Sequence, residues 1–213
     1  MKEIGEFDYI LPVGDLPALF LASLNWPGPL PPSLSAYNIW RNQLKARLDQ
    51  LGGGLKIGIS WRGGLNITRK PVRSISPELW CPLLSVPDVH FISLQYGDVK
   101  HELEAFVQQG LIFHHWQEAI DDYDETAALV SELDLIISVQ TSIVHLGGAL
   151  GKVVWALISA GPEWRYGIDC DKMPWYKHVS LFRQKEMLQW QPVIDEVVAA
   201  LIEHQLHLSL INI

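Results

Sequence analysis

Cysteine is scarce in this chain of 213 residues: Cys81 and Cys170 stand far apart, with no second pair. That excludes a disulfide framework and a zinc knuckle, and makes reduced thiols in a cytoplasmic protein the expectation. Basic residues are also few, 16 Lys and Arg against 24 Asp and Glu for a net charge of -8. That is the wrong sign for a nucleic-acid partner. No apolar run reaches the roughly 18–20 residues of a spanning helix, so no transmembrane segment is expected. The opening Met1-Lys2-Glu3-Ile4-Gly5-Glu6 does not have the basic-then-apolar order of a secretory signal. Charged residues make up only 19% against 48% hydrophobic, which argues for a globular core and against disorder. Tryptophan, by contrast, is abundant. Its nine copies read mostly as core or interdomain packing, with a few left to line a ligand cleft.

Residues 1–54 differ from the rest. Pro12, Pro17, Pro27, Pro29, Pro31 and Pro32 break regular structure repeatedly. One helix is predicted from about Ser35 to Leu51, with Trp40, Leu44 and Leu48 on one face and Gly52-Gly53-Gly54 ending it. The stretch reads as a connector, or the remnant of a preceding domain, ahead of a domain spanning 55–213. From Leu55 onward short apolar runs alternate with helical patterns. Strands are predicted at Leu55–Trp61, Val89–Leu94, Leu111–His114, Asp134–Val139, Val153–Ile158 and Val179–Phe182. Helices start at Ser76-Pro77-Glu78, with Ser76 as capping hydroxyl, and at Asp124-Glu125-Thr126. Others span Val99–Gln109 closed by Gly110, Ser142–Leu150 stopped by Gly151, and Gln191 to about His204. This alternation predicts an α/β fold, a doubly wound parallel sheet of Rossmann-like type.

On such a sheet a ligand sits beyond the carboxyl ends of the strands. Two segments there carry chemistry. In Ser138-Val139-Gln140-Thr141-Ser142-Ile143-Val144-His145-Leu146-Gly147-Gly148, a buried strand runs directly into a Gly-rich helix. The free N–H groups at that helix start favour an anion. Thr141 and Ser142 add hydroxyl donors, and His145 shares their face one turn on. A plain cap at Thr141 and a structural histidine are the alternative. In Trp61-Arg62-Gly63-Gly64 the glycines admit a close ligand and Arg62 suits phosphate, although a simple βα turn has the same look. Arg69, Lys70 and Arg73 continue that loop as a basic cluster. No metal site is expected. Asp121-Asp122-Tyr123-Asp124-Glu125 reads as a loop and helix cap, and His114-His115 point to opposite sides of a strand. Trp164-Arg165-Tyr166 and Trp175-Tyr176 fall in an aromatic loop, read as packing or a lid.

Together the segments KIGISWRGG (56–64), FISLQYG (91–97), DETAA (124–128), LDLIISVQTSIVHLGGALG (133–151), EWRY (163–166) and LFRQ (181–184) resemble a known group. They are similar to the carboxyl-terminal part of bacterial tetratricopeptide-repeat proteins that end in a domain like glycosyltransferase family nine, the ADP-heptose:lipopolysaccharide heptosyltransferases. Residues 8–24, around Leu16-Pro17, look like the end of the amino-terminal Rossmann half of such proteins. The resemblance implies the carboxyl-terminal half of a GT-B glycosyltransferase, binding a nucleotide-diphosphate sugar donor without metal or other cofactor. The family's Asp-Thr-Gly-x-x-His motif falls on Gln140, Thr141, Ser142 and His145, with Gln140 in place of the acid. Arg62, Gly63 and Gly64 would face the same diphosphate, and Trp116, Glu125 and Thr126 would flank the base. The family's catalytic base lies in its amino-terminal domain, to which no segment here corresponds. The resemblance thus implies donor binding without turnover unless another protein supplies that domain. A non-catalytic interaction domain of a repeat protein is the alternative, and another Rossmann enzyme, such as a nucleotide-sugar epimerase, a third.

Overall fold

The computed structural model describes residues 28–29, 31–64, 70–167 and 170–211. The expectations for residues 8–24 and for Arg69 lie outside them. Six strands form one sheet: β1 (Leu55–Ser60), β2 (Val89–Ser93), β3 (Phe113–His114), β4 (Leu135–Val139), β5 (Val154–Ile158) and β6 (Val179–Arg183). Their order is β3-β2-β1-β4-β5-β6 and every neighbouring pair is parallel. This is the Rossmann-like α/β arrangement, with β1 and β4 adjacent at the point where the winding reverses.

The sheet is covered on both faces, which is why its central strands are continuously apolar. Alternate residues feed two cores. Ile136, Val154, Ala156 and Ile158 pack with α1 (Asn38–Asp49), α5 (Tyr123–Glu132) and α6 (Ser142–Ala149). Ile57, Ile59, Leu135, Ile137 and Leu157 pack with α2 (Pro77–Leu84), α3 (Lys100–Gln108) and α7 (Gln191–Ile211). Of the described tryptophans, Trp61, Trp80, Trp116, Trp155 and Trp190 are buried in these cores. Helix α1 lies on α5. Leu44 and Leu48 enter the core, and Arg41 pairs with Glu132 at 2.7 Å. Trp40, expected on that same face, stays 38% exposed.

Several local expectations are corrected. β3 has two residues rather than four, because the Leu111 N–H is already donated to the Phe106 carbonyl at the end of α3. α5 begins at Tyr123, since Asp122 is its cap and accepts from the Asp124 and Glu125 N–H groups at 2.8 and 3.1 Å. A five-residue helix, α4 (Gln117–Asp121), precedes it unannounced. Ser76 occupies the N-cap position of α2 without a side-chain capping bond. α7 runs on past His204 to Ile211, there being no Gly or Pro after Pro192 to stop it.

Candidate functional site

All strands are parallel, so the loops after β1 and β4 leave at the same edge and then diverge. They open a cleft of about 400 Å³ lined by Gly64, Arg73, Tyr96, Gln140, Thr141, Ser142, His145, Glu163, Arg165 and Tyr166. The two loops touch at Gly63. A β-carbon there would stand 2.9 Å from the Gln140 carbonyl oxygen and 3.0 Å from Thr141 Cγ2, closer than ordinary contact. Buried Gln95, after β2, fixes the first loop by accepting from the Trp61 and Arg62 N–H groups at 3.0 and 2.9 Å.

The structure reassigns several side chains. Arg62 turns away from the cleft. Its Nε pairs with Glu102 at 2.7 Å and its Nη2 donates to the Asp98 carbonyl. Helix α3 thus captures the guanidinium expected at the anion site. Arg73 takes its place, donating through Nη2 to the Gln140 carbonyl and pairing through Nη1 with Glu163 at 2.7 Å. The Gly63 N–H is committed to Ser74 Oγ at 3.3 Å, whereas Gly64 does line the cleft.

Thr141 caps α6, its Oγ1 accepting from the Ile143 N–H at 3.3 Å. The Ser138 hydroxyl lies 2.8 Å from the Val139 carbonyl oxygen and 3.0 Å from the Thr141 hydroxyl, a contact in which either hydroxyl can donate. Thr141 and Ser142 both line the cleft, Ser142 exposed at its mouth. Gln140 is 1% exposed, and its Oε1 accepts from Ser159 N and Oγ at 3.1 and 2.8 Å. A backbone N–H can only donate, so that assignment is fixed, and Nε2 is the end left without a partner among the described residues. An unpaired buried donor in the wall of a cleft is costly unless a ligand meets it.

Trp116, Glu125 and Thr126 do not line this cleft. Trp116 is buried under the Arg47 guanidinium, 4.3 Å from its ring centre. The Thr126 hydroxyl donates to the Ala119 and Asp122 carbonyls at 2.7 and 2.9 Å, its role being to join α4 to α5. Glu125 stands half-buried beside it on α5. Arg165 and Tyr166 of the aromatic loop, read from the sequence as packing or a lid, do line the cleft. Both sit in a 3-10 turn (Trp164–Tyr166) after β5. That turn is held from β6, where Arg183 donates to the Tyr166 and Cys170 carbonyls, and by Trp175 Nε1 donating to the Arg165 carbonyl at 2.8 Å. Among the described residues no cluster of three or more His, Cys, Asp or Glu is placed to hold a metal, and no helix is long and apolar enough to cross a membrane.

His145 lies between the rings of Tyr166 and Tyr176, at 6.0 and 5.9 Å. Burial, and then the Arg165 charge, lower its pKa below the ordinary 6.5. It is therefore a neutral ring, not a cation, at neutral pH. His114 is lowered likewise by burial and by neighbouring His90 and Lys56. A depressed folded-state pKa means that the unfolded chain takes up protons first on acidification. The stability these histidines contribute is thus present above about 6.5 and lost as pH falls through their folded values. The urea midpoint is expected to drop between pH 7.5 and 5.5, and less steeply in a His114→Gln, His145→Gln double variant. An equal drop in both proteins would place the dependence on other groups.

No protein-family model matches the chain. Protein FlbA of Caulobacter vibrioides is 35% identical over 205 residues, which cover 92% of this chain but only 33% of FlbA. The chain thus spans about a third of the length of that relative. Among solved structures, E. coli ADP-heptose lps heptosyltransferase II superposes with a TM-score of 0.56 at 15% identity, over 83% of this chain and 55% of the transferase. The glycosyl transferase family 9 structure from Veillonella parvula gives 0.56 at 14%, over 71% and 42% of the two chains. E. coli heptosyltransferase WaaC with ADP gives 0.53 at 17%, over 71% and 45%. At these identities the likeness is one of fold: the chain has the Rossmann-like α/β architecture found in heptosyltransferases.

Proposed function

We propose that this cleft holds the diphosphate of a nucleotide-sugar donor, and that the chain is the donor-binding, carboxyl-terminal half of a GT-B glycosyltransferase. The observation that carries the reading is Gln140. Gln140, 1% exposed and with an amide nitrogen that has no partner among the described residues, stands just before α6 and lines a cleft that two arginines also line. A helix start, a spare N–H donor and guanidinium groups together suit a dianionic leaving group. The neutral His145 ring adds a hydrogen bond without adding charge. The boundary proposed for the donor domain is Leu55, with 1–54 as the connector leading into it. The chain carries no assigned base for an acceptor hydroxyl, and inverting transfer requires one within hydrogen-bond reach. Binding without transfer is therefore the behaviour expected of this segment alone.

The test is calorimetric titration with ADP-, UDP-, GDP- and CDP-sugars, followed by a transfer assay on the chain alone. One of the series is expected to bind, with no sugar transferred. Transfer by the chain alone overturns the half-enzyme reading. A folded sample that ignores every donor supports instead a non-catalytic interaction domain.

A further inference from the structure

Glu163 sits where the donor's charge would go. One carboxylate oxygen pairs with Arg73 Nη1 at 2.7 Å, and the other pairs with Arg165 Nη1 at 2.6 Å. All three side chains line the same cleft as Gln140, Ser142 and His145. We propose that Glu163 is an internal anion occupying a phosphoryl subsite, and that a bound diphosphate takes over its two guanidinium partners. This inference rests on the donor-site reading above.

The geometry supports exchange rather than permanent structure. A carboxylate bridging two guanidinium groups reproduces the charge and the acceptor pattern of a phosphoryl group. The bridge is open on one side, with Glu163 34% and Arg165 44% exposed against 14% for Arg73, and the exposed Glu163–Arg165 pair is individually weak. Glu163 precedes the 3-10 turn without capping its backbone by its side chain, and touches the turn only through the exposed Arg165 side chain. The turn is anchored separately, by Arg183 from β6. A diphosphate entering about 400 Å³ beside an unmoved carboxylate would meet like charge, and the same carboxylate would hold the arginines away from it. Glu163 therefore sets the affinity threshold of the site, keeping Arg73 ordered when no donor is present.

The experiment is titration of wild type, Glu163→Gln and Glu163→Ala with inorganic pyrophosphate and with ADP, each sample checked for cooperative thermal unfolding. Glutamine keeps the shape and one acceptor oxygen but removes the charge. Both variants are expected to bind pyrophosphate and ADP roughly tenfold tighter than wild type, the scale of a removed charge contact. Variants that bind while wild type shows no signal support the same conclusion. Wild-type binding with equal or weaker binding by folded variants overturns the inference and leaves the donor site standing. No binding by any of the three proteins sinks both.

Discussion

Arg73→Ala is expected to weaken ADP or pyrophosphate binding by roughly tenfold or more, while Arg62→Ala changes it little. Sequence pattern puts Arg62 at the anion, because it immediately follows β1. The structure gives its guanidinium to Glu102 and the Asp98 carbonyl, and puts Arg73 in the cleft wall instead. Loss of a charge-assisted hydrogen bond costs about 1.5–3 kcal/mol, which is roughly tenfold to a hundredfold in affinity. Removing Arg73 also leaves the Glu163 carboxylate with one guanidinium partner fewer, which adds repulsion against an incoming anion. Arg62→Ala breaks a half-buried surface pair, worth on the order of 1 kcal/mol or less in stability. Calorimetry on the two variants decides the matter. Equal losses of affinity would mean that Arg62 swings into the cleft when ligand binds.

Trp61→Ala is expected to destabilise the fold by about 3–5 kcal/mol, while Trp61→Phe costs much less. Trp61 is 1% exposed at the end of β1, edge-on to Phe106 and Phe113 at 5.6 Å from each. Truncation removes the largest part of that aromatic cluster and opens a cavity between the sheet and α3. The indole N–H has no partner among the described residues, so phenylalanine keeps ring packing while removing that buried donor. For a chain of this size the alanine variant should melt roughly 6–20 °C lower. Urea unfolding of both variants, read at 25 °C, gives the comparison. A phenylalanine variant as unstable as the alanine one would show that the N–H does find a partner in solution.

The strand order could be anticipated only as a class, but the elements themselves were legible from local signals. Gly110, Gly151 and Pro77 mark helix boundaries, and uninterrupted apolar runs mark strands buried on both faces. The errors fall where local signals are weak. Asp122 rather than Asp124 caps α5, one acid among several in a row. In the site, Ser142, His145 and Gly64 were placed by the strand ends they follow, since on a parallel sheet every such end reaches one edge, whereas Gln140 came from the resemblance to the family's motif.

The partners of those residues were not legible. Whether Thr141 has a proton to give depends on the direction of one hydrogen bond with Ser138. Whether Arg62 or Arg73 faces the cleft depends on where Glu102 and Glu163 come to rest. Period, propensity and capping act between residues a few positions apart and can be read along the chain, so the sequence by itself determined the βα alternation and the edge at which the loops after the strands meet. Ion pairs and hydrogen bonds are satisfied by whichever groups the packing brings within about 3 Å. That choice, made between distant segments once α3 and the loop after β5 had docked, was left to the tertiary structure.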